Sequence, residues 1–352
     1  MTTTAHSTVA IVGAGIAGLR VATELVARGI DVAVFESRDR VGGRLLSTQV
    51  GPDGMRLDHG ATWFWPGEQR VMVLVEQLGI PTHPQHLAGD AVFHEPGSGR
   101  RVDGNPIDVP SWRFSNGAQS LPERLAEFLP GDALHLSNPI TAIRTDGDSL
   151  IVEHQDGLLA CAHVVLAVAP ALALERIEFA PPLPARISGL AELTPVWMGS
   201  TVKVVARYQS AFWRDAGLSG SGISHIGPLR EIHDMSGPNG SPAALFGFAP
   251  QLDESRAPSK DVVVSQLVEM FGTDAAEPLE VVISDWRTPD TSPRDVVRLT
   301  AYQAFGHPLF QSPTFEGRLH WASTETASVA PGHIEGALEA ADRTVDAIAK
   351  AL

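Results

Sequence analysis

The chain has 352 residues, of which 43% are hydrophobic, and its formal net charge is −15. This length is enough for a large core and predicts two domains. The acidic balance argues against a nucleic-acid partner or an anionic membrane surface, because both bind clustered lysine and arginine. The single cysteine excludes an intramolecular disulfide and a thiolate zinc cluster.

The first elements of the chain are two strands and a helix joined by a glycine-rich turn. Segments 8–13 and 31–36 are apolar in the manner of parallel core strands, and a helix is predicted over 16–28. The residues before the first strand lack the basic and apolar regions of a signal peptide, and the sequence contains no apolar run long enough to span a membrane. We therefore expect a cytoplasmic protein.

The turn has the pattern Gly13-x-Gly15-x-x-Gly18, and Glu36 stands at the end of the second strand. Gly13 permits the tight turn, Gly15 lets backbone approach a pyrophosphate, and Gly18 allows the helix to pack closely on the strand. The start of the helix offers free N–H groups and a positive dipole end to phosphates. A carboxylate at position 36 accepts hydrogen bonds from ribose hydroxyls and repels a 2′-phosphate, so the unit predicts a dinucleotide other than NADP.

The rest of the chain alternates helices and strands, which predicts an α/β fold with at least one parallel sheet. Cys161 falls in an apolar strand, where a small buried residue is expected. The elements in chain order are a helix over 71–80 that ends at Gly79, a hairpin around Pro96–Gly99, a helix in 117–129, several strands in 134–170, a strand of alternating polarity in 199–213, an amphipathic helix in 259–272 and a helix in 331–352.

Segments from both ends of the sequence share one resemblance. Glu36 is followed by SRDRVGGR at 37–44 and LDHGATWFWP at 57–66, while STETA at 323–327 leads to a glycine and a helix. A second glycine loop lets backbone reach a longer dinucleotide, and Arg44 can neutralise a pyrophosphate. These segments resemble the flavin-dependent amine oxidases, which include monoamine, polyamine and L-amino-acid oxidases. The resemblance implies FAD, bound non-covalently because no cysteine stands ahead of the C-terminal motif.

The resemblance also implies a domain organisation. A Rossmann-like FAD-binding domain, related to NAD(P)-binding units, would be assembled from 1–65, 113–175 and 310–352. A smaller α+β substrate domain with a mixed sheet would comprise 66–112 and 176–309, with the active cavity between the two. Segment 66–112 is far shorter than the helical lid of typical relatives, so we expect a reduced lid, a more open site or a partner that supplies the wall. The assembly state stays open, with a homodimer as one option.

The positions expected to bind the cofactor follow from the matched motifs. SNPITAI resembles the strand beside the adenosine, and the helix that follows Gly332 would direct its N-terminus to the flavin pyrimidine ring, where its dipole stabilises negative charge. The full set is Gly13, Gly15, Ile16, Ala17, Gly18, Glu36, Ser37, Arg38, Gly42, Gly43, Arg44, Gly60, Ala61, Thr62, Ile140, Thr324, Glu325, Gly332, His333 and Ile334.

Lys203 and His333 are the candidate catalytic residues. Lys203 matches the family's lysine that holds a water against flavin N5, and its valine neighbours predict burial and a lowered pKa, although the strand pattern alone also fits a surface lysine. His333 stands where relatives have the second of two tyrosines that face the flavin. It could stack on substrate, donate a hydrogen bond, act as acid or base, or merely pack at the helix start. The other histidines have no spacing that suggests a metal, so none is expected.

The candidate substrate contacts are Trp63, Tyr302 and Phe305. Trp63 matches an aromatic wall position of the family cavity, although a tryptophan is also an ordinary core residue. Tyr302 or Phe305 would be the counterpart of the first family tyrosine, in a stretch that matches poorly. Because the chain has only two tyrosines, Tyr208 and Tyr302, a two-tyrosine cage beside the C-terminal motif is excluded.

The reaction implied by the resemblance is oxidation of an amine C–N bond by hydride transfer to flavin N5, with reoxidation by O2 to H2O2. The amine must be neutral for its lone pair to assist, which favours an apolar cavity. Two alternatives stay open. One is oxidation of a C–C, C–O or ring bond, as in porphyrinogen oxidases, carotenoid desaturases and renalase-like flavoproteins, and the other is a non-catalytic flavin-binding partner protein.

Overall fold

The computed structural model describes residues 4–50, 55–96, 98–250, 257–288 and 303–352. Within these ranges the chain forms eight α-helices and twenty strands, and the strands are arranged in four sheets. Helices connect parallel strands in one large sheet, and the second large sheet is mixed. The predicted α/β class is therefore confirmed.

The first large sheet is built around the strand that precedes the glycine turn. β1 (Ala5–Val12) pairs in parallel with β2 (Val32–Phe35) on one side and with β13 (Gly157–Leu166) on the other. The other strands are β10 (Leu134–His135), β11 (Ile140–Asp146), β12 (Ser149–His154), β14 (Glu178–Ala180) and β20 (Leu319–Trp321). The spatial order is β10–β2–β1–β13–β12–β11–β14, and β20 lies beside the end of β13.

Helices cover both faces of this sheet, as the apolar character of its parallel strands predicts. The helices on one face are α1 (Ile16–Ala27), α2 (Gln69–Leu78), α3 (Ser120–Ala126) and α8 (Ile334–Ala351), and those on the other are α4 (Pro170–Arg176) and α5 (Ala185–Leu193). The first set packs with Val9 and Ile11, and the second with Ala10 and Val12. α2 ends as predicted, because Gly79 takes the left-handed φ of 63°.

The second large sheet carries Lys203. Its strands in spatial order are β19 (Glu280–Asp285), β15 (Thr201–Tyr208), β18 (Ala243–Pro250), β17 (Glu231–Asp234), β16 (Leu218–Ser224), β7 (Asp90–Glu95) and β8 (Ser98–Val102). The pairs are antiparallel except for β16 and β7. α7 (Lys260–Phe271) packs on one face of this sheet against Val202 and Val204, and the short helix α6 (Phe212–Asp215) follows β15.

β15 is the predicted strand of alternating polarity, but it has no exposed face. Residues 201–206 are all buried. Val204 packs beneath α7, while Val205 on the opposite face packs with Leu57 and Phe246. Lys203 is only 6% exposed, so the alternative of a surface lysine is wrong.

Two small sheets complete the described strands. In one, β3 (Ser47–Gln49) pairs with β4 (Arg56–Asp58), and in the other β9 (Trp112–Phe114) lies between β5 (Trp63–Phe64) and β6 (Thr82–Pro84). The hairpin expected around Pro96–Gly99 is confirmed as β7–β8. The division into two discontinuous domains stays a prediction. β14, in the segment assigned to the substrate domain, pairs with β11 of the first large sheet.

Candidate active site

A cavity of about 820 Å³ is lined by residues from both large sheets. Its walls include the turn between β1 and α1, the second glycine loop, the segment 60–63, β15, β17 and the start of α8. Segments from opposite ends of the sequence therefore surround one space, and this cavity is the candidate active site.

The two glycine loops form one surface of the cavity. Gly15 and Gly42 are joined by a backbone bridge, and the N–H of Gly42 donates to the carbonyl oxygen of Ala14 at 2.9 Å. A Cβ added to Gly15 would meet no atom within 4 Å, whereas a Cβ on Gly18 would lie 2.0 Å from the carbonyl oxygen of Gly13. Gly15 therefore leaves open space for a ligand, and Gly18 lets α1 pack closely against the turn.

The end of this surface beside β2 fits the phosphate and ribose of FAD. Among the residues that the structure describes, no side chain caps the N-terminus of α1, so its first N–H groups are available to an anionic ligand. The buried carboxylate of Glu36 accepts hydrogen bonds from the backbone N–H groups of Ala14 at 2.9 Å and Arg38 at 3.0 Å. Glu36 also lines the cavity, where ribose hydroxyls could reach it.

Arg44 is held by a carboxylate from the C-terminal segment. Its guanidinium donates to both oxygens of Glu325 at 2.6 and 3.1 Å, and to the carbonyl oxygen of Trp197 at 3.3 Å. Arg44 lines the cavity, but Glu325 lies behind the wall and is fully buried. Glu325 thus fixes the position of Arg44. Glu325 itself does not line the cavity.

Lys203 extends from β15 into the cavity. Its Nζ donates to the carbonyl oxygen of Gly60 at 2.6 Å and lies 5.6 and 6.0 Å from the ring centroids of Phe248 and Phe246. Burial lowers the pKa of Lys203 to about 8, although the nearby carboxylate of Asp58 opposes the shift. The side chain can therefore gain or lose a proton close to neutral pH.

His333 is the residue that precedes α8, and it lines the cavity. Its Nδ1 lies 2.6 Å from a carboxylate oxygen of Glu68, and the other oxygen of Glu68 accepts the backbone N–H of Trp65 at 3.0 Å. The Trp65 ring lies on the imidazole, with 5.1 Å between centroids. Glu68 and Trp65 were not predicted as site residues, because Glu68 is distant from His333 in sequence.

Trp63 lies at the centre of an aromatic wall. Its ring centroid is 5.1 Å from that of His233, 5.5 Å from that of Phe246 and 6.3 Å from that of Phe248. The indole N–H donates to the side-chain oxygen of Gln85 at 2.9 Å, so the polar edge of the ring is satisfied away from the aromatic face. Trp63 lines the cavity.

His233 forms a charged cluster with two carboxylates, and this cluster was not predicted from the sequence. Nδ1 lies 2.6 Å from Asp108 and Nε2 lies 3.0 Å from Glu231. Burial by itself lowers the pKa of His233, but the two carboxylates outweigh it and raise the pKa to about 9. All three residues line the cavity. The alternation of Glu231 and His233 in one strand was the available signal, because residues two apart share a face.

The predicted site residues divide into four groups. Tyr302 lies outside the described residues, and Phe305 is not in the cavity wall but contacts the wall residue Trp197 with 6.3 Å between ring centroids. Gly18 and Glu325 lie behind the wall. The residues that line the cavity are Gly13, Gly15, Ile16, Ala17, Glu36, Ser37, Arg38, Gly42, Gly43, Arg44, Gly60, Ala61, Thr62, Trp63, Ile140, Lys203, Thr324, Gly332, His333 and Ile334.

In the part of the chain that the structure describes, no group of three or more histidine, cysteine, aspartate or glutamate side chains is arranged to hold a metal ion. Nor does any helix there combine the length and apolar character needed to cross a membrane.

Comparison with family models identifies the protein class. The model described as flavin containing amine oxidoreductase matches residues 108–349, and the model of an NAD(P)-binding Rossmann-like domain matches residues 11–78. The chain therefore belongs to the flavin containing amine oxidoreductase family. It is a flavoprotein oxidoreductase with FAD as its cofactor, and amine oxidation is the activity of its relatives.

Individual relatives match over nearly the whole chain. A Mycobacterium tuberculosis protein described as a flavin-containing monoamine oxidase is 27% identical over 447 residues, covering 98% of this chain and 97% of the relative. Putrescine oxidase of Kocuria rosea is 26% identical and covers 94% and 92%. Both alignments are longer than this 352-residue chain, so the relatives contain segments that have no counterpart here.

Solved structures show the same fold. A putrescine oxidase bound to putrescine superposes with a TM-score of 0.84 at 23% identity, covering 99% of this chain and all of the other. Cyclohexylamine oxidase from Brevibacterium oxydans superposes with a TM-score of 0.84 at 22% identity, covering 98% and 99%. At this level of identity the likeness concerns the fold.

Proposed function

We propose that the chain oxidises an amine at the carbon that bears the nitrogen, with non-covalently bound FAD and with O2 as the electron acceptor. The observation that carries this proposal is the buried Lys203, whose lowered pKa and cavity position fit the family's flavin-side lysine. An aromatic wall at Trp63 and Phe248 lies in the same cavity.

The cavity residues suggest how FAD would be held. The N-terminus of α1 and the backbone of Gly15 and Gly43 would face the pyrophosphate, with Arg44 as the counter-charge. Glu36 would accept the ribose hydroxyls, and Ile140 would lie at the adenosine. The start of α8 would face the flavin ring. Bound in this way, FAD would accept a hydride from the substrate carbon and pass the electrons to oxygen.

The chain's own residues then have three tasks. Lys203 would hold a water molecule beside the reacting carbon. Trp63 and Phe248 would exclude bulk water from the amine, which favours its neutral form because desolvation lowers the pKa of an ammonium group. His333, at the start of α8, would contact the amine or its proton.

The position of the one cysteine supports non-covalent attachment. Cys161 is 3% exposed in β13, burial raises the pKa of its thiol to about 12, and it is not among the cavity-lining residues. A thiol that stays protonated is a poor nucleophile. Acid precipitation should therefore release all the flavin into the supernatant, whereas flavin retained in the pellet would contradict this part of the proposal.

The decisive experiment is anaerobic flavin reduction. The purified holoprotein is mixed with benzylamine, cyclohexylamine, 1,4-diaminobutane and several amino acids, and flavin absorbance is followed. Bleaching by an amine, followed by recovery in air with formation of hydrogen peroxide, supports the proposal. A flavin that dithionite reduces but no amine reduces would contradict it. Lys203→Met should slow the amine reaction, and Lys350→Met, at the exposed end of α8, is the matched control.

A further inference from the structure

The contact between Glu68 and His333 joins the N-terminal ends of two helices. Glu68 precedes α2 and His333 precedes α8, and the two side chains meet at 2.6 Å, 265 positions apart in sequence. The Glu68 side chain is buried, while the His333 side chain is 37% exposed. One end of the pair is therefore fixed in the protein, and the other end is open to the cavity.

The geometry selects one tautomer of the imidazole. A carboxylate accepts hydrogen bonds, so Nδ1 of His333 carries the proton that it donates to Glu68. In the described part of the chain no hydrogen-bond partner for Nε2 occurs. Nε2 of the neutral ring therefore carries a lone pair. The Trp65 ring packs against the imidazole at a tilt of 37°, and the backbone N–H of Trp65 donates to the second oxygen of Glu68, so both members of the pair are oriented.

The other charged groups near His333 are already paired or lie across the cavity. Arg70 of α2 binds Glu335 at 3.0 Å and Asp342 at 3.1 Å, both on α8. Arg44 is bound to Glu325 at 2.6 Å. Lys203 faces the same cavity from β15. Glu68 is consequently the carboxylate in direct contact with the imidazole, at 2.6 Å.

We propose that Glu68 and His333 form a proton-accepting dyad for the substrate ammonium, with Nε2 of His333 as the base and Glu68 as its positioning residue. The proposal rests on the proposed function. The N–H bond of the ammonium breaks, its electron pair stays on the amine nitrogen, and the proton moves to Nε2. The imidazolium later releases that proton to water through its exposed side. No oxidant or reductant takes part in this step.

The dyad explains how an amine that is charged in water can react in this cavity. A protonated amine has no lone pair to assist hydride loss, and an apolar wall favours the neutral form without supplying a group that takes the proton. A base held in one tautomer by a carboxylate takes the proton at the site. Substrates that are strongly basic amines therefore depend on Glu68 most.

The test measures the anaerobic flavin-reduction rate against pH with benzylamine, cyclohexylamine and 1,4-diaminobutane. Glu68→Gln keeps the shape of the side chain but removes its charge and its preference for a protonated Nδ1. We expect the flavin-reduction rate of the variant to lie about 30-fold below that of wild type at pH 7. The difference should narrow to within about threefold at pH 10, where the amine is increasingly neutral before it binds. Glu76→Gln, at an exposed position of α2, is the matched control and should follow wild type.

Two further readouts separate the dyad from a structural role. The flavin absorbance spectrum of Glu68→Gln should match that of wild type, and ¹⁵N spectra of histidine-labelled protein should show Nδ1–H with an unprotonated Nε2 in wild type. The dyad would be overturned if the flavin-reduction rate of Glu68→Gln were lowered equally at all pH values. It would also be overturned if the neutral imidazole of His333 in wild type carried its proton on Nε2. Failure of every amine to reduce wild-type flavin at any pH would overturn the proposed function and the dyad with it.

Discussion

Arg44 and Glu325 form an ion pair with two hydrogen bonds, at 2.6 and 3.1 Å, across 281 positions of sequence. Burial raises the pKa of Glu325, but the Arg44 guanidinium outweighs it, helped by the backbone N–H of Trp197, and the pKa lies below its usual value. The pair joins the second glycine loop to the C-terminal segment. The interaction therefore links two parts of the cavity wall that come from opposite ends of the sequence.

The burial of this pair is asymmetric, and its two deletions should differ. Arg44→Ala leaves a fully buried carboxylate without its counter-charge and should lower the free energy of unfolding by about 3–5 kcal/mol. Glu325→Ala leaves Arg44, which is partly exposed and can contact water, so it should cost less. Urea unfolding of the apoproteins measures both, with Arg28→Ala at a more exposed pair as the control. Equal losses in the two variants would contradict the asymmetry.

Two glycines in the first turn should respond to alanine in opposite ways. Gly15→Ala adds a Cβ to open space, so the apoprotein should unfold normally while the dissociation constant for FAD rises about tenfold or more. Gly18→Ala places a Cβ 2.0 Å from the carbonyl oxygen of Gly13 and should destabilise the apoprotein by about 1–3 kcal/mol or more. FAD titration and urea unfolding test the pair. An unstable Gly15→Ala apoprotein would refute the first expectation.

Lys203 should make stability rise with pH in an alkaline window. Burial lowers its pKa from 10.5 to about 8, so between these values the unfolded state binds more protons than the folded state. The free energy of unfolding from this group therefore increases from pH 8 to pH 10.5, by about 3 kcal/mol at most. Lys203→Met should lack this increase. If the free energy of unfolding changed with pH in the same way in wild type and variant, the lysine would not be desolvated in the folded protein.

His233 should have the opposite effect. Burial lowers the pKa of His233, but Asp108 and Glu231 raise it by a larger amount. The net result is a rise from 6.5 to about 9. Its stabilisation is therefore complete below pH 6.5 and is lost as pH rises through 9. Asp108→Asn should be less stable than wild type by about 1–3 kcal/mol at pH 6, with the difference shrinking by pH 9.5. Unfolding at both pH values tests this, and Asp103→Asn, at an exposed position, is the control.

Short-range chemistry made part of the structure predictable from sequence. The turn from Gly13 to Gly18 needs glycines for backbone geometry and close packing, and both constraints act within a few residues. The end of α2 at Gly79 follows from its left-handed backbone in the same way. The alternating polarity of β15 also fitted a surface lysine, and only the structure excludes that alternative, because a strand buried on both faces hides its polar residues too.

The charged pairs of the cavity could not be predicted from the sequence, because each pair forms between residues of distant segments. His233 and Asp108 are 125 positions apart, and Glu68 and His333 are 265 positions apart. Each glutamate or aspartate looks like an ordinary surface acid in its own segment. A buried contact between charged residues can be recognised only when the register of the sheets and the positions of the helix ends are known.

The position of α8 has a consequence for how the protein is made. α8 packs with α1 in the core beside β1, and β20 pairs with the end of β13. During translation the glycine turn leaves the ribosome long before these partners, so the nascent chain presents the apolar faces of β1 and α1 uncovered. We therefore expect FAD to bind only after α8 has been synthesised, and a chain truncated before α8 to leave this apolar surface exposed.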